Sequence, residues 1–169
     1  MADESWNQDI PKETNVRQQL EDELEIRRLL ERYMRFDDDW NLSGMVSVFE
    51  RDAMYRVMGK EIVGTDAIRT FLAGNGMSDD LPNWRQPGML MSPPWTTHIL
   101  SNPIIEFEDD DTALVESDFT VVERDEAGHA VIPLAGRYRD KIVRQADGRW
   151  LIRERTGVSM RKRTKKFGT

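Results

Sequence analysis

From Leu20 onward, apolar residues recur at three- and four-residue steps: Leu20, Leu24, Ile26, Leu29, Leu30 and Tyr33, with Glu and Arg filling the intervening positions. That period is the signature of an amphipathic helix. The helix is predicted to end near Met34 to Phe36, because Asp37-Asp38-Asp39 follows and short acidic side chains compete for backbone hydrogen bonds. A second, short helix fits Ser43 to Phe49, with Ser43 as N-cap and Met45, Val46 and Phe49 on its apolar side. Ala53 to Met58 reads as a strand, Gly59-Lys60 as a turn and Glu61 to Val63 as a short returning strand. Thr65 or Asp66 can cap a third helix through Ile68, Phe71 and Leu72, closed by Gly74.

In the second half the period changes to two. Candidate strands are Trp95–Phe107, Thr112–Glu123, His129–Arg144 and Arg149–Met160, separated by Asp- and Gly-rich turns. Alternation assigns inward rows: Ala113, Val115, Ser117, Phe119 and Val121 on one strand, and Ala130, Ile132, Leu134, Gly136, Tyr138 and Ile142 on the next. Trp150, Ile152, Val158 and Met160 share a face on the last strand, and His98 points with Leu100 and Ile104 on the first. Helices first and long hairpins second imply an α+β domain, about three helices packed on one side of a curved, mostly antiparallel sheet. Such a sheet can enclose a cavity, with Phe119, Leu134, Tyr138 and Trp40 as candidate pocket residues.

The core domain is read as residues 19–160, preceded by a polar, flexible arm at 1–18 and followed by a basic tail at 161–169. The Gly-, Pro- and Met-rich stretch 75–94 is long for a connection in a compact domain and is either a cover for a site or a surface insertion.

Composition removes several function classes. The chain has 169 residues, enough for one sizeable core, and a net charge of −7, which argues against nucleic acid as the main partner. Five of its positive charges lie between Arg161 and Lys166; subtracting them leaves about −12 on residues 1–160. No apolar run could span a bilayer and the N-terminus is unlike a secretory signal, so no membrane role and a cytoplasmic location are expected. With no cysteine, thiol chemistry is absent, and no spacing such as HxxxH or Gly-rich phosphate loop suggests a metal or nucleotide cofactor.

There are two histidines. His129 sits at a turn and should be exposed; His98 lies in a strand facing inward and is the candidate base at neutral pH. The plain alternative is a hydrogen-bonded structural histidine. Asp37, Asp38 and Asp39 could orient it, but three consecutive acids cannot all face inward, and at least two are expected to be solvated. Tyr33 could project its hydroxyl into the same cavity or be a core aromatic with a wet tip.

The segment EIRRLLERYMRFDDDWNLSGMVSVF (25–49) resembles the opening of SnoaL-like domains of the NTF2-like superfamily. Arg51-Asp52-Ala53, Val63-Gly64-Thr65-Asp66-Ala67-Ile68, Thr97-His98, Gly136-Arg137-Tyr138-Arg139-Asp140 and Asp147-Gly148-Arg149-Trp150-Leu151-Ile152 extend the resemblance over about residues 20–160. It implies a cone-shaped fold and a homo-oligomer, dimer or trimer. Catalytic members include scytalone dehydratase, bile-acid 7α-dehydratase and hexachlorocyclohexane dehydrochlorinase, which run eliminations with a His–Asp dyad and tyrosines and without a cofactor. The dyad falls on His98 and Asp38, the helix-end tyrosine on Tyr33, and a second tyrosine matches Tyr55 with an offset of about two positions. The arginine that the bile-acid enzymes carry near the last strand has no clean counterpart: Met160 stands there, with Arg155 and Arg161 nearby.

The resulting expectation is a cofactor-independent lyase, dehydratase-like, or an isomerase. Its substrate would be a small hydrophobic cyclic, polyketide-like or aromatic-degradation metabolite. The alternatives are a non-catalytic small-ligand-binding module of the same fold, an accessory subunit like the dioxygenase β chain, or a protein adaptor.

Overall fold

A computed structural model describes residues 13–80 and 96–160. The basic tail, Trp95 and most of the 75–94 stretch therefore lie outside the described residues, as does the arm up to residue 12. The order is α1 (Glu13–Asp38), α2 (Leu42–Ser47), β1 (Phe49–Val57), β2 (Lys60–Val63), α3 (Thr65–Gly74), β3 (Thr96–Asp109), β4 (Thr112–Arg124), β5 (Ala130–Arg144) and β6 (Trp150–Ser159). The strands form one curved sheet in the order β2-β1-β6-β5-β4-β3. All neighbours are antiparallel except β1 and β6, which run parallel. The three helices cover one face, the α+β arrangement expected from the pattern and the cone implied by the resemblance.

The core lies between that face and α1. Ile26, Leu29, Leu30, Tyr33 and Met34 of α1 are buried against Ala113, Val115, Phe119 and Val121 of β4, and against Tyr138, Ile142, Trp150 and Ile152. The inward row of β4 is as alternation placed it. Among the described residues no helix is long and apolar enough to cross a membrane.

Several local expectations are corrected. Helix α1 begins at Glu13, inside the expected arm, and runs on to Asp38 rather than stopping at Met34 to Phe36. Its buried stripe starts at Asp22, not at Leu20 or Leu24, which are exposed. Asp22 is held instead by Arg144 and by the Trp150 indole, whose Nε1 donates at 3.2 Å. Asn41, not Ser43, caps α2: its Oδ1 accepts from the Gly44 amide at 2.7 Å. Phe49 opens β1 instead of closing the helix. Gly64 precedes α3 at φ 84°, and neither Thr65 nor Asp66 supplies a side-chain cap.

Alternation also fails at two irregularities. Between Ser101 and Ile104 the β3–β4 register shifts, with Asn102 at φ 52°, so Ile104 turns outward and is 61% exposed. Between Ile152 and Glu154 the β5–β6 register gains the extra residue Arg153. The parity of β6 therefore inverts: Trp150 and Ile152 face the core, Val158 and Met160 are exposed, and Arg155 turns inward. At the start of β5, Ala130, Ile132 and Leu134 are exposed, because the strand begins beyond the helical cover.

Gly136 is required where β4, β5 and β6 meet. A Cβ there would lie 2.7 Å from the Phe119 ring and still nearer the Val158 carbonyl oxygen, which is backbone and cannot step aside. Gly136→Ala is expected to destabilise the fold by about 1–3 kcal/mol, the usual cost of overpacking, read as a lower urea midpoint at unchanged slope.

Candidate functional site

The end of α1 aims its side chains into the cone because the helix is stopped by a specific terminus. The Asn41 amide donates to the Phe36 carbonyl at 2.9 Å and the Trp40 amide to the Asp37 carbonyl at 3.0 Å. Trp40 occupies the left-handed region at φ 53°, where a glycine is usual. This Schellman-type ending keeps Asp37 and Asp38 in the last helical turn, and the backbone then reverses so that Trp40 lies over Gly76.

Asp38 is buried, and its Oδ1 accepts two hydrogen bonds from one residue of β3: the His98 amide at 2.8 Å and His98 Nδ1 at 2.8 Å. With Nδ1–H donating, Nε2 is the basic nitrogen of the neutral ring. Nε2 faces Asp37, whose Oδ2 lies 3.5 Å away. Two of the three acids thus converge on His98, against the expectation that at least two would be solvated. The helix continuing through Asp37 and Asp38 is what turns both inward.

The two carboxylates and the imidazole perturb one another. Burial, the largest influence, pulls the His98 value down; the hydrogen bond with Asp38 and the charges of Asp37 and Asp38 outweigh it, and the net shift is upward from 6.5. Asp37 is also shifted upward, by burial first and then by the charge of Asp38, against the opposing pull of His98 and Arg155.

Beyond His98 opens a cavity of about 300 Å³, at the small end of the range for ligand sites. Its wall includes all four expected pocket residues, Phe119, Leu134, Tyr138 and Trp40, together with His98, Tyr33 and Tyr55. Leu134 belongs to the wall although it is 40% exposed, and the wall also includes Phe71, Met77 and Asp37. The hydroxyls of Tyr33 and Tyr55 lie 2.8 Å apart. One donates to the other, which leaves one O–H of the pair available. Burial drives both upward, Tyr55 to about 12, so both are neutral donors at physiological pH. Tyr138 stacks on Phe119 with ring centres 4.5 Å apart. His129 is exposed on its hairpin and pairs only with Asp125, at 3.3 Å.

The residue that sequence reading did not place inside is Arg155. It is 0% exposed, lies under the ring faces of Tyr33 at 3.8 Å and Tyr138 at 4.4 Å, and bonds Asp140 bidentately at 2.8 and 2.7 Å. The only available signal was the run Arg153-Glu154-Arg155-Thr156, unusually polar for a strand otherwise flanked by core residues. Among the described residues, no group of three or more acidic or histidine side chains is arranged to hold a metal ion.

A model of the SnoaL-like domain matches residues 18–156. The chain belongs to the SnoaL-like family. No curated protein matches it significantly in sequence. Among solved structures, this SnoaL-like chain is similar to Rv3472, a protein of unknown function from Mycobacterium tuberculosis, at 24% identity and a TM-score of 0.70, covering 88% of this chain and 77% of that one. It is similar to a provisionally named scytalone dehydratase from Novosphingobium aromaticivorans at 22% identity and a TM-score of 0.66, covering 86% and 89%. A third likeness is to LinA, at 19% identity and a TM-score of 0.65, covering 85% and 89%. At these identities the likenesses establish the NTF2-like fold.

The buried ion pair gives a stability prediction for this SnoaL-like chain. Asp140→Ala leaves the Arg155 guanidinium uncompensated in the core and should cost about 3–5 kcal/mol. The measurement is chemical denaturation, and Arg155→Met in the same chain should recover part of the loss.

Proposed function

We propose that this chain is a cofactor-independent lyase of the dehydratase type, or an isomerase using the same proton transfer. The substrate class is a small hydrophobic cyclic or polyketide-like molecule, or a metabolite of aromatic degradation. The observation that carries the reading is His98, its Nδ1 held by Asp38, in the wall of an apolar cavity whose lining also includes the hydrogen-bonded pair Tyr33 and Tyr55. The SnoaL-like match, and likenesses to one protein named for dehydration and to LinA, support the same direction.

His98 Nε2 removes a proton from the carbon next to a carbonyl. The Tyr33–Tyr55 pair donates its free O–H to the carbonyl oxygen as that oxygen gains enolate charge. Collapse of the enolate expels hydroxide from the neighbouring carbon, and the proton taken by His98 is the one that finally balances the departing water. Without a leaving group, the same proton is returned at a different carbon and the outcome is isomerisation. Asp38 contributes by fixing the tautomer and by stabilising the imidazolium that forms.

His98→Ala and Asp38→Asn should each lower turnover by at least about 10²-fold, the usual contribution of a positioned base, while circular dichroism shows an unchanged fold. Full activity in either variant would sink the proposal. A variant set that binds hydrophobic ligands but shows no turnover, the wild type included, would favour the non-catalytic binding module. The reading includes self-association as a dimer or trimer, for which Ile104 and Leu114, exposed on the outer face of the sheet, offer apolar surface; light scattering decides it.

A further inference from the structure

Asp37 lies beside the imidazole nitrogen that Asp38 does not hold. His98 Nδ1 and the His98 amide both donate to Asp38, which leaves Nε2 with a lone pair in the neutral ring. At 3.5 Å from that lone pair stands a carboxylate oxygen, Asp37 Oδ2. A basic nitrogen and a carboxylate oxygen this close in a half-buried site are favourable neighbours when the pair holds a proton. That proton sits either on the ring, as imidazolium and carboxylate, or on Asp37, as neutral imidazole and carboxylic acid. Asp37 also lines the cavity itself. It is therefore within reach of a bound molecule as well as of His98.

We propose that Asp37 is a second catalytic residue, the general acid that protonates the leaving group of the elimination, with the proton it gives up restored from His98. This rests on the lyase reading above and assigns a separate donor within it. The reactive form is the tautomer in which Asp37 carries the shared proton and His98 is neutral. Nε2 takes the proton from the carbon next to the carbonyl, and the electron pair of that C–H bond becomes the enolate. The C–O bond to the neighbouring hydroxyl then breaks, and Asp37 supplies the proton with which hydroxide leaves as water. His98 now holds one proton too many and Asp37 one too few. Transfer across the 3.5 Å gap restores both. Nothing is oxidised or reduced, and no co-reactant is needed.

The upward shift of His98, to which the Asp37 charge contributes, agrees with a proton held between the two groups, while burial is what raises Asp37. The groups facing Asp37 are Asp38 and Tyr33 on its own helix, His98 on β3, Tyr55 on β1, Tyr138 on β5 and Arg155 on β6. The tyrosines are neutral donors throughout the working range, and the Arg155 charge is fixed by Asp140. The titration of the site thus belongs to the Asp37–His98 pair. The active form holds one proton: adding a second at acid pH removes the base, and losing the last one removes the acid. The second loss falls above 6.5, the ordinary histidine value, because the His98 shift is upward. A site with His98 alone would instead gain activity as pH rises through that value.

Two measurements on the whole protein test this. The first needs no substrate: ¹⁵N-NMR titration of His98 in the wild type and in Asp37→Asn. Loss of the carboxylate facing Nε2 should lower the His98 value, and an unchanged titration overturns the proposal. The second uses 3-hydroxy-1-tetralone, whose dehydration gives fluorescent 1-naphthol, and 1-tetralone, whose C2 protons exchange with D₂O without any leaving group. In Asp37→Asn the ratio of dehydration to exchange should fall by about 10²-fold, and the bell-shaped pH profile should become a single limb rising with pH. A parallel loss of both reactions would make Asp37 merely structural and overturn the assignment. Absence of dehydration and exchange in the wild type, with the His98 titration shifted in Asp37→Asn, would sink the lyase reading and the acid role while leaving the shared proton standing.

Discussion

One carboxylate, that of Asp38, joins the helical half of the molecule to the sheet. Strand β3 is the last strand of the sheet, and an edge strand presents backbone amides with no strand to receive them. Asp38 takes one of those amides, from His98, and with the same oxygen takes the His98 ring. The tie is thus anchored twice on one residue: the backbone bond fixes where the strand lies against α1, and the ring bond fixes how the imidazole is turned. Everything that gives the cavity its chemistry, including the approach of Asp37 to Nε2, depends on the helix terminating where it does. That termination is set by Trp40 accepting a left-handed backbone, a strain of order 1–3 kcal/mol for a residue with a bulky side chain.

A second constraint lies beneath the tyrosines. A guanidinium removed from water is stable only when paired and well bonded, and Asp140 provides both oxygens to it. Tyr33 and Tyr138 then lay their electron-rich faces on the same cation. The cavity floor is consequently rigid and carries a fixed positive field, which opposes burial in setting the acidity of Tyr33 and Tyr55. One nitrogen of Arg155 and the Ser117 hydroxyl are the buried side-chain polar atoms without a protein partner among the described residues.

Much of this was legible before any coordinates. The shift of hydrophobic period from three-and-four to two located the helical and strand halves, and the β4 row from Ala113 to Val121 faces the core as alternation required. His98 stood out because a strand histidine on an inward parity is rare chemistry in a chain with two histidines. What failed did so for definable reasons. A bulge adds one residue without any marker in the sequence, and it inverts every later side chain on its strand, which is how Arg155 went inside and Val158 and Met160 out. The acidic triplet looked like a helix stop because Asp is a poor helix former, yet the tertiary bonds to His98 outweigh a propensity worth a fraction of a kcal/mol. Ala130, Ile132 and Leu134 alternate correctly, but alternation cannot show where the covering layer ends.

The parallel strand pairing of β1 with β6 links residues about a hundred positions apart, such as Tyr55 with Arg155. During synthesis the hairpin of β1 and β2 can form early, but its inner edge waits for the final strand to emerge. The chain must therefore hold an incomplete sheet, with an unsatisfied edge and an uncovered tyrosine, until β6 has been made. Loop-closure entropy over that span also slows refolding relative to a simple meander of the same length. The floor of the cavity is among the last parts to be built, so a chain lacking β6 would keep the dyad's residues but have no site around them.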